Sequence, residues 1–180
     1  MKNFYVKIFN EINSLLDKTD FIALEKISKS LISANKKNKK VIIFGNGGSA
    51  AISSHVSIDL TKNAKIRAIN FNEADLLTCF SNDYGYENWV QKALSFHADK
   101  GDLLICISSS GKSKNIINGA KFAKRIGCKV VTLTGFDKKN KVRTIGHVNL
   151  WLESQNYNHI EMVHHTWLLS IVDYVAKVKF

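Results

Sequence analysis

The spacing of hydrophobic positions changes character along the chain. Phe4, Ile8, Ile12, Leu15 and Leu16 mark one helical stripe, and Ile22, Leu24, Ile27, Leu31 and Ile32 mark a second, with Thr19 and Asp20 between them as turn and cap. Val41-Ile42-Ile43-Phe44 follows, a continuous apolar run that stops at Gly45-Asn46-Gly47-Gly48 and suits a strand buried on both faces. Beyond it the pattern predicts helices over 49–62, 73–80, 86–98 and 113–126, and a long final helix over about 156–178. Strands are predicted over 66–70, Asp102–Ile107, Lys129–Thr134 and His147–Leu152. Such alternation indicates an α/β fold, a three-layer αβα sandwich around a parallel sheet. One domain spans 1–180: residues 1–37 form two leading helices, free to serve assembly instead of the core, and 41–180 form the αβα core.

Composition narrows the classes. With 45% hydrophobic and 23% charged residues, the 180-residue chain is an ordinary globular one and not a disordered one. Its apolar runs are far shorter than the ~20 residues of a membrane span, and polar residues interrupt the N-terminal stretch where an export signal would need an apolar core. Cys79, Cys106 and Cys128 have no CxxC spacing and read as reduced thiols, so a cytoplasmic location is expected. The net charge of +11 favours an anionic partner, or is simply a solvated lysine surface. The basic runs Lys36–Lys40 and Lys138–Lys141 contain no interleaved aromatics to stack on bases, so nucleic acid is not the expected partner. Trp89, Trp151, Trp167, Tyr174 and Phe180 read as core or subunit-contact residues.

Ligands of an open parallel sheet bind beyond the carboxyl ends of its strands. Two predicted strand-to-helix loops stand out there. Gly45-Asn46-Gly47-Gly48-Ser49-Ala50 lets backbone N–H groups approach an anion at a helix start, or is a tight structural turn. Ser108-Ser109-Ser110-Gly111-Lys112-Ser113 gathers four hydroxyls at another helix start, where one would suffice for capping. The surplus points to phosphate. No nucleotide cofactor is expected: the GxxxxGK[ST] order is missing, the third glycine of GxGxxG falls at Ala50, and Arg67–Asn70 offers no acidic ribose ligand.

Taken with His55, Ser81-Asn82-Asp83-Tyr84-Gly85-Tyr86-Glu87, Gly101-Asp102-Leu103-Leu104 and Leu133-Thr134-Gly135, these loops resemble the sugar isomerase (SIS) domain family, and within it the phosphoheptose isomerases. The resemblance implies a homotetramer with sugar-phosphate sites at subunit interfaces. It implies interconversion of sedoheptulose 7-phosphate and a mannoheptose 7-phosphate through an enediol, feeding heptose into lipopolysaccharide or capsule. It also implies that Ser49, Ser108, Ser110 and Ser113 hold the phosphate, within binding loops that include Gly47, Gly48 and Ser109. Asn46 and Asp83 would orient the sugar hydroxyls, and zinc would sit between the helix after the glycine loop and the last helix.

The chain departs from that pattern at the reacting groups. Where the family has His and then Glu four residues on, this chain has His55 and Asp59, whose carboxylate is shorter by about 1.5 Å. On the last helix the family's zinc-binding Gln is Glu161, and its terminal His falls at Leu169, which neither ligates nor transfers a proton. His165 lies between them on the same helical face. His55, Asp59, Glu161 and His165 would then form a two-histidine, two-carboxylate zinc set, with Asp59 as carbon base and His165 or His164 as acid. The alternative is that both carboxylates are ordinary polar residues and that both histidines pack the helix. In function, the alternative is a non-catalytic SIS protein, a sensor or scaffold that binds a sugar phosphate or a protein partner.

Overall fold

The computed structural model describes residues 1–178, so Phe180 lies outside the described residues. In chain order the elements are α1 (Lys2–Leu16), α2 (Phe21–Lys36), β1 (Val41–Phe44), α3 (Gly48–Lys62), β2 (Ala68–Ile69), α4 (Ala74–Tyr84) and α5 (Trp89–His97). They continue with β3 (Leu103–Ser108), α6 (Lys114–Arg125), β4 (Lys129–Thr134), α7 (Lys141–Ile145), β5 (Val148–Trp151) and α8 (Tyr157–Lys177). The five strands form one parallel sheet in the order β2-β1-β3-β4-β5.

Period-2 alternation within the buried strands supplies both cores. Ile43, Ile105 and Leu133 face the layer of α2, α3 and α8, whereas Phe44, Leu104 and Val130 face α5 and α6. The register sets Ile43 opposite Ile105 and Phe44 opposite Cys106. Both faces are covered, which is why these strands read as unbroken apolar runs.

Four local expectations change. The strand predicted over 66–70 shrinks to Ala68–Ile69, because Lys65 takes a positive φ of 57° and the segment pairs only with β1. The helix at 73–80 runs on to Tyr84, where Gly85 ends it at φ 81°. The five-residue α7 was not anticipated in a basic run; Asn140 caps it by accepting from the Arg143 N–H at 2.9 Å. The leading helices also differ from one another. Ala23, Ile27, Leu31 and Ala34 of α2 belong to the core, while α1 buries no residue and leaves Phe4, Tyr5 and Phe9 exposed. Trp89 and Trp167 are core residues, and Tyr174 is exposed.

Candidate active site

β1 and β3 are neighbours, yet the chain leaves β1 towards β2 and leaves β3 towards β4. Their carboxyl ends therefore flank a topological switch point, the crevice where parallel sheets bind ligands. The glycine loop and the serine loop meet there. Asn46, Ser49, Ser108, Ser109, Ser110, Ser113, Tyr157 and Glu161 line a pocket of about 110 Å³.

A reciprocal amide pair ties the two loops together. Asn46 donates through Nδ2 to Asn115 Oδ1 at 3.0 Å, and Asn115 returns the bond from Nδ2 to Asn46 Oδ1 at 2.8 Å. Asn115 is buried at the start of α6. Tyr86 adds a hydroxyl 3.4 Å from Asn46 Oδ1. Neither Asn115 nor Tyr86 was a sequence candidate, although a polar Asn on the apolar side of α6 was a visible signal. The serine loop is propped from behind: Gly111, at φ 63°, leaves room for Asn140 Oδ1, which a β-carbon there would overlap. The Gly135 N–H donates to the Ser109 carbonyl at 2.7 Å.

The hydroxyls are held in an unusual condition. Ser108 and Ser109 are buried, and their Oγ atoms have no partner among the described residues. Ser113 is the N-cap residue of α6 but its side chain makes no capping bond. An unsatisfied buried polar group costs about 1–3 kcal/mol, and two adjacent ones lining this pocket leave hydroxyls available to an anionic ligand. The first N–H groups of α6 lack intrahelical partners, whereas at α3 the Ser49 and Ala50 N–H groups donate to the Asn46 and Gly47 carbonyls at 3.0 Å; both helices point positive dipole ends at the same crevice.

A second cluster lies between α3 and α8. His55 Nδ1 is 2.9 Å from His165 Nε2, and His55 Nε2 is 3.3 Å from Asp59 Oδ2. The two rings meet edge to face. Burial, with the His55 ring beside it, lowers the His165 pKa from its ordinary value. Glu161, one turn earlier on α8, turns to Gly48 and the serine pocket, and burial raises its pKa. A β-carbon at 48 would meet that carboxylate, the movable end of the Glu161 side chain.

Two sequence candidates are placed elsewhere. His164 is fully buried, its Nε2 is 3.3 Å from the Thr134 carbonyl, and desolvation pushes its pKa down to about 4. It is a core residue, one helical step out of phase with His165, and does not reach the pocket lining. Asp83 is exposed on α4, accepting from Asn82 Nδ2 at 2.9 Å, and is not part of the pocket.

Zinc needs donors that converge on one point. In this chain Asp59 and His165 contact different nitrogens of the His55 ring, and Glu161 turns to the other loop. Among the described residues no three His, Cys, Asp or Glu side chains are grouped to hold an ion. The expected four-residue set is not assembled by this arrangement.

Comparison with known proteins identifies the family. A family model for the SIS domain matches residues 4–135. The phosphoheptose isomerase of Aliarcobacter butzleri is 37% identical over 147 residues, covering 78% of this chain and 77% of the relative. A probable phosphoheptose isomerase of Thermoplasma volcanium is 32% identical over 152 residues, covering 81% and 76%. The solved phosphoheptose isomerase of Neisseria gonorrhoeae has the same fold, with a TM-score of 0.91 over 98% of this chain and 99% of that one at 24% identity. The chain belongs to the SIS domain family and, within it, to the phosphoheptose isomerases.

Proposed function

We propose that the protein interconverts the aldose and ketose forms of sedoheptulose 7-phosphate, or of a closely related sugar phosphate, through an enediol, for heptose synthesis towards surface polysaccharide. The observation that carries this reading is the pair of partnerless hydroxyls, Ser108 and Ser109, at the switch-point crevice. With Ser49, Ser110, Ser113 and the helix N-termini they suit a phosphate dianion. A pocket of about 110 Å³ takes a phosphate group but not a whole phosphosugar, since small-molecule sites span ≈ 300–1,000 Å³. The carbon chain therefore extends out past Asn46 and Glu161 towards His165 and His55.

The reaction moves one proton between C1 and C2 and one between their oxygens. The His55–His165 contact suits the oxygen proton, because two adjoining imidazoles pass a proton without leaving hydrogen-bond reach. Asn46, fixed by Asn115, suits the sugar hydroxyls.

This reading includes a homotetramer whose sites are completed by neighbouring subunits. Ile58 and Met162 are exposed beside the α3 and α8 site residues, and Phe4 and Phe9 are exposed on α1. An apolar rim of this kind suits a protein surface in contact with it. Reduced thiols at Cys79, Cys106 and Cys128 suit the cytoplasm. Among the described residues no helix is long and apolar enough to cross a membrane.

The test is incubation with sedoheptulose 7-phosphate, following the sugar pool by NMR, with a Ser109→Ala/Ser110→Ala control. Conversion that the control loses supports the proposal. Binding without conversion would turn the reading to a sugar-phosphate sensor or scaffold.

A further inference from the structure

Two carboxylates compete for the carbon-proton role in this site. Asp59 stands at the position where the sequence pattern expects the base. Its Oδ2, however, faces the Nε2 edge of His55, whose Nδ1 in turn meets His165. An acid bound to one imidazole nitrogen while the other nitrogen works fixes the tautomer and the ring orientation, which is an orienting task. Glu161 is placed differently. It makes no hydrogen bond or ion pair among the described residues, and it lines the serine pocket. Ser108 and Ser109 form the buried floor of that pocket, while Glu161 is only partly buried and stands at its mouth. His165 follows four residues later on the same face of α8, about 6 Å further along the axis.

Charge sharpens the contrast. A carboxylate at the mouth of an anion pocket works against phosphate binding. A glutamine there would bind the ligand without repulsion, so the retained acid needs another reason to be present.

Building on the isomerase reading, we propose that Glu161 is the catalytic residue that carries the proton between C1 and C2, and that Asp59 is a positioning residue acting through His55. From the ketose, the Glu161 carboxylate takes the C1 proton, that electron pair forms the C1=C2 bond of the enediol, and the C2 carbonyl oxygen takes a proton from His165. The reaction finishes when the O1 proton passes to His165, C1=O forms, and Glu161 returns its proton to C2. Atoms and charge balance without a further reactant.

The test follows exchange of the C1 proton of sedoheptulose 7-phosphate with D2O by NMR, alongside isomerisation and substrate binding, on the full chain in EDTA. Glu161→Gln is expected to lower exchange and kcat by about 100-fold or more while binding the substrate at least as tightly as wild type. Glu161→Asp is expected to restore part of the exchange, and Asp59→Asn to lower kcat while exchange remains measurable. The assignment is overturned if Glu161→Gln exchanges at the wild-type rate, or if Asp59→Asn is the variant that abolishes exchange. Loss of bound metal together with activity in Glu161→Gln, measured by elemental analysis before chelation, would also overturn it in favour of a ligand role. A wild type that binds the phosphosugar but neither exchanges nor converts it defeats the isomerase reading and this assignment with it; a wild type that is active beside an equally active Glu161→Gln defeats the assignment alone.

Discussion

His55 and His165 are 110 residues apart in the chain and 2.9 Å apart at their ring nitrogens, joining α3 to α8 beside the serine pocket. One of the two rings donates to the other, so each constrains the tautomer of its partner. If they act as a unit, their removal is not additive. His165→Ala and His55→Ala should each lower kcat by about 100- to 10,000-fold, and the double variant little further. Steady-state kinetics on the three proteins checks this; multiplying losses would mean the rings act separately.

The serine loop predicts a separation of binding from stability. Ser113 makes no capping bond, so Ser113→Ala should shift stability by no more than about 0.5 kcal/mol. A hydrogen bond to a charged group contributes about 1.5–3 kcal/mol, so sugar-phosphate affinity should fall roughly 10- to 150-fold. Calorimetric titration paired with urea melts reads both quantities.

Gly111→Ala should destabilise the fold and loosen the pocket together. A left-handed φ costs an L-residue about 1–2 kcal/mol, and the added carbon displaces the Asn140 side chain that caps α7. A melt superimposable on wild type would contradict this account of the loop.

Stability should depend on pH through His164. The unfolded imidazole binds a proton below its ordinary pKa of 6.5, but the buried one stays neutral until about pH 4. Unfolding therefore takes up a proton in that window, and stability falls as the pH drops from 6.5 towards 4, by up to about 1.4 kcal/mol per pH unit. His165 and His147, also lowered by burial, act in the same direction. Denaturant unfolding at pH 5 and 7.5 should show a shallower pH slope for His164→Gln than for wild type.

The exposed rim offers a test of assembly. Phe9→Glu and Ile58→Glu replace residues that are 62% and 61% exposed in the single chain, so the folded subunit should tolerate both. Sedimentation velocity should show the oligomer dissociating, with activity falling alongside. An unchanged sedimentation coefficient would contradict the proposed assembly through this rim.

Local periodicity carried most of the fold. The apolar runs at 41–44, 103–107 and 129–134 named buried strands, and the glycine and serine loops follow β1 and β3 because strand ends are legible from composition. Boundaries failed at elements too short to show a period of their own, the two-residue edge strand β2 and the five-residue α7, whose Val142 and Ile145 are placed by packing. In the site, the same-face spacing of Glu161 and His165 was visible in advance, as was the pairing of His55 with Asp59 at i, i+4.

Sequence alone marked the glycine loop, the serine loop and one face of the last helix as places where polar groups gather at strand ends, since side-chain type and helical period are local properties; it did not single out Asn115 or Tyr86. Tertiary structure decided who meets whom. Strand order set the loop of β1 against the loop of β3, and through them Asn46 against Asn115. The rotation of α8 about its axis sent His164 into the core and His165 to the site, a choice between neighbours that differ by about 100° around a helix. The apolar stripe Ile160, Val163, Trp167 and Ile171 includes position 164 and not 165, but what that stripe packs against, the sheet and its flanking helices, is a long-range matter that only the tertiary structure supplies.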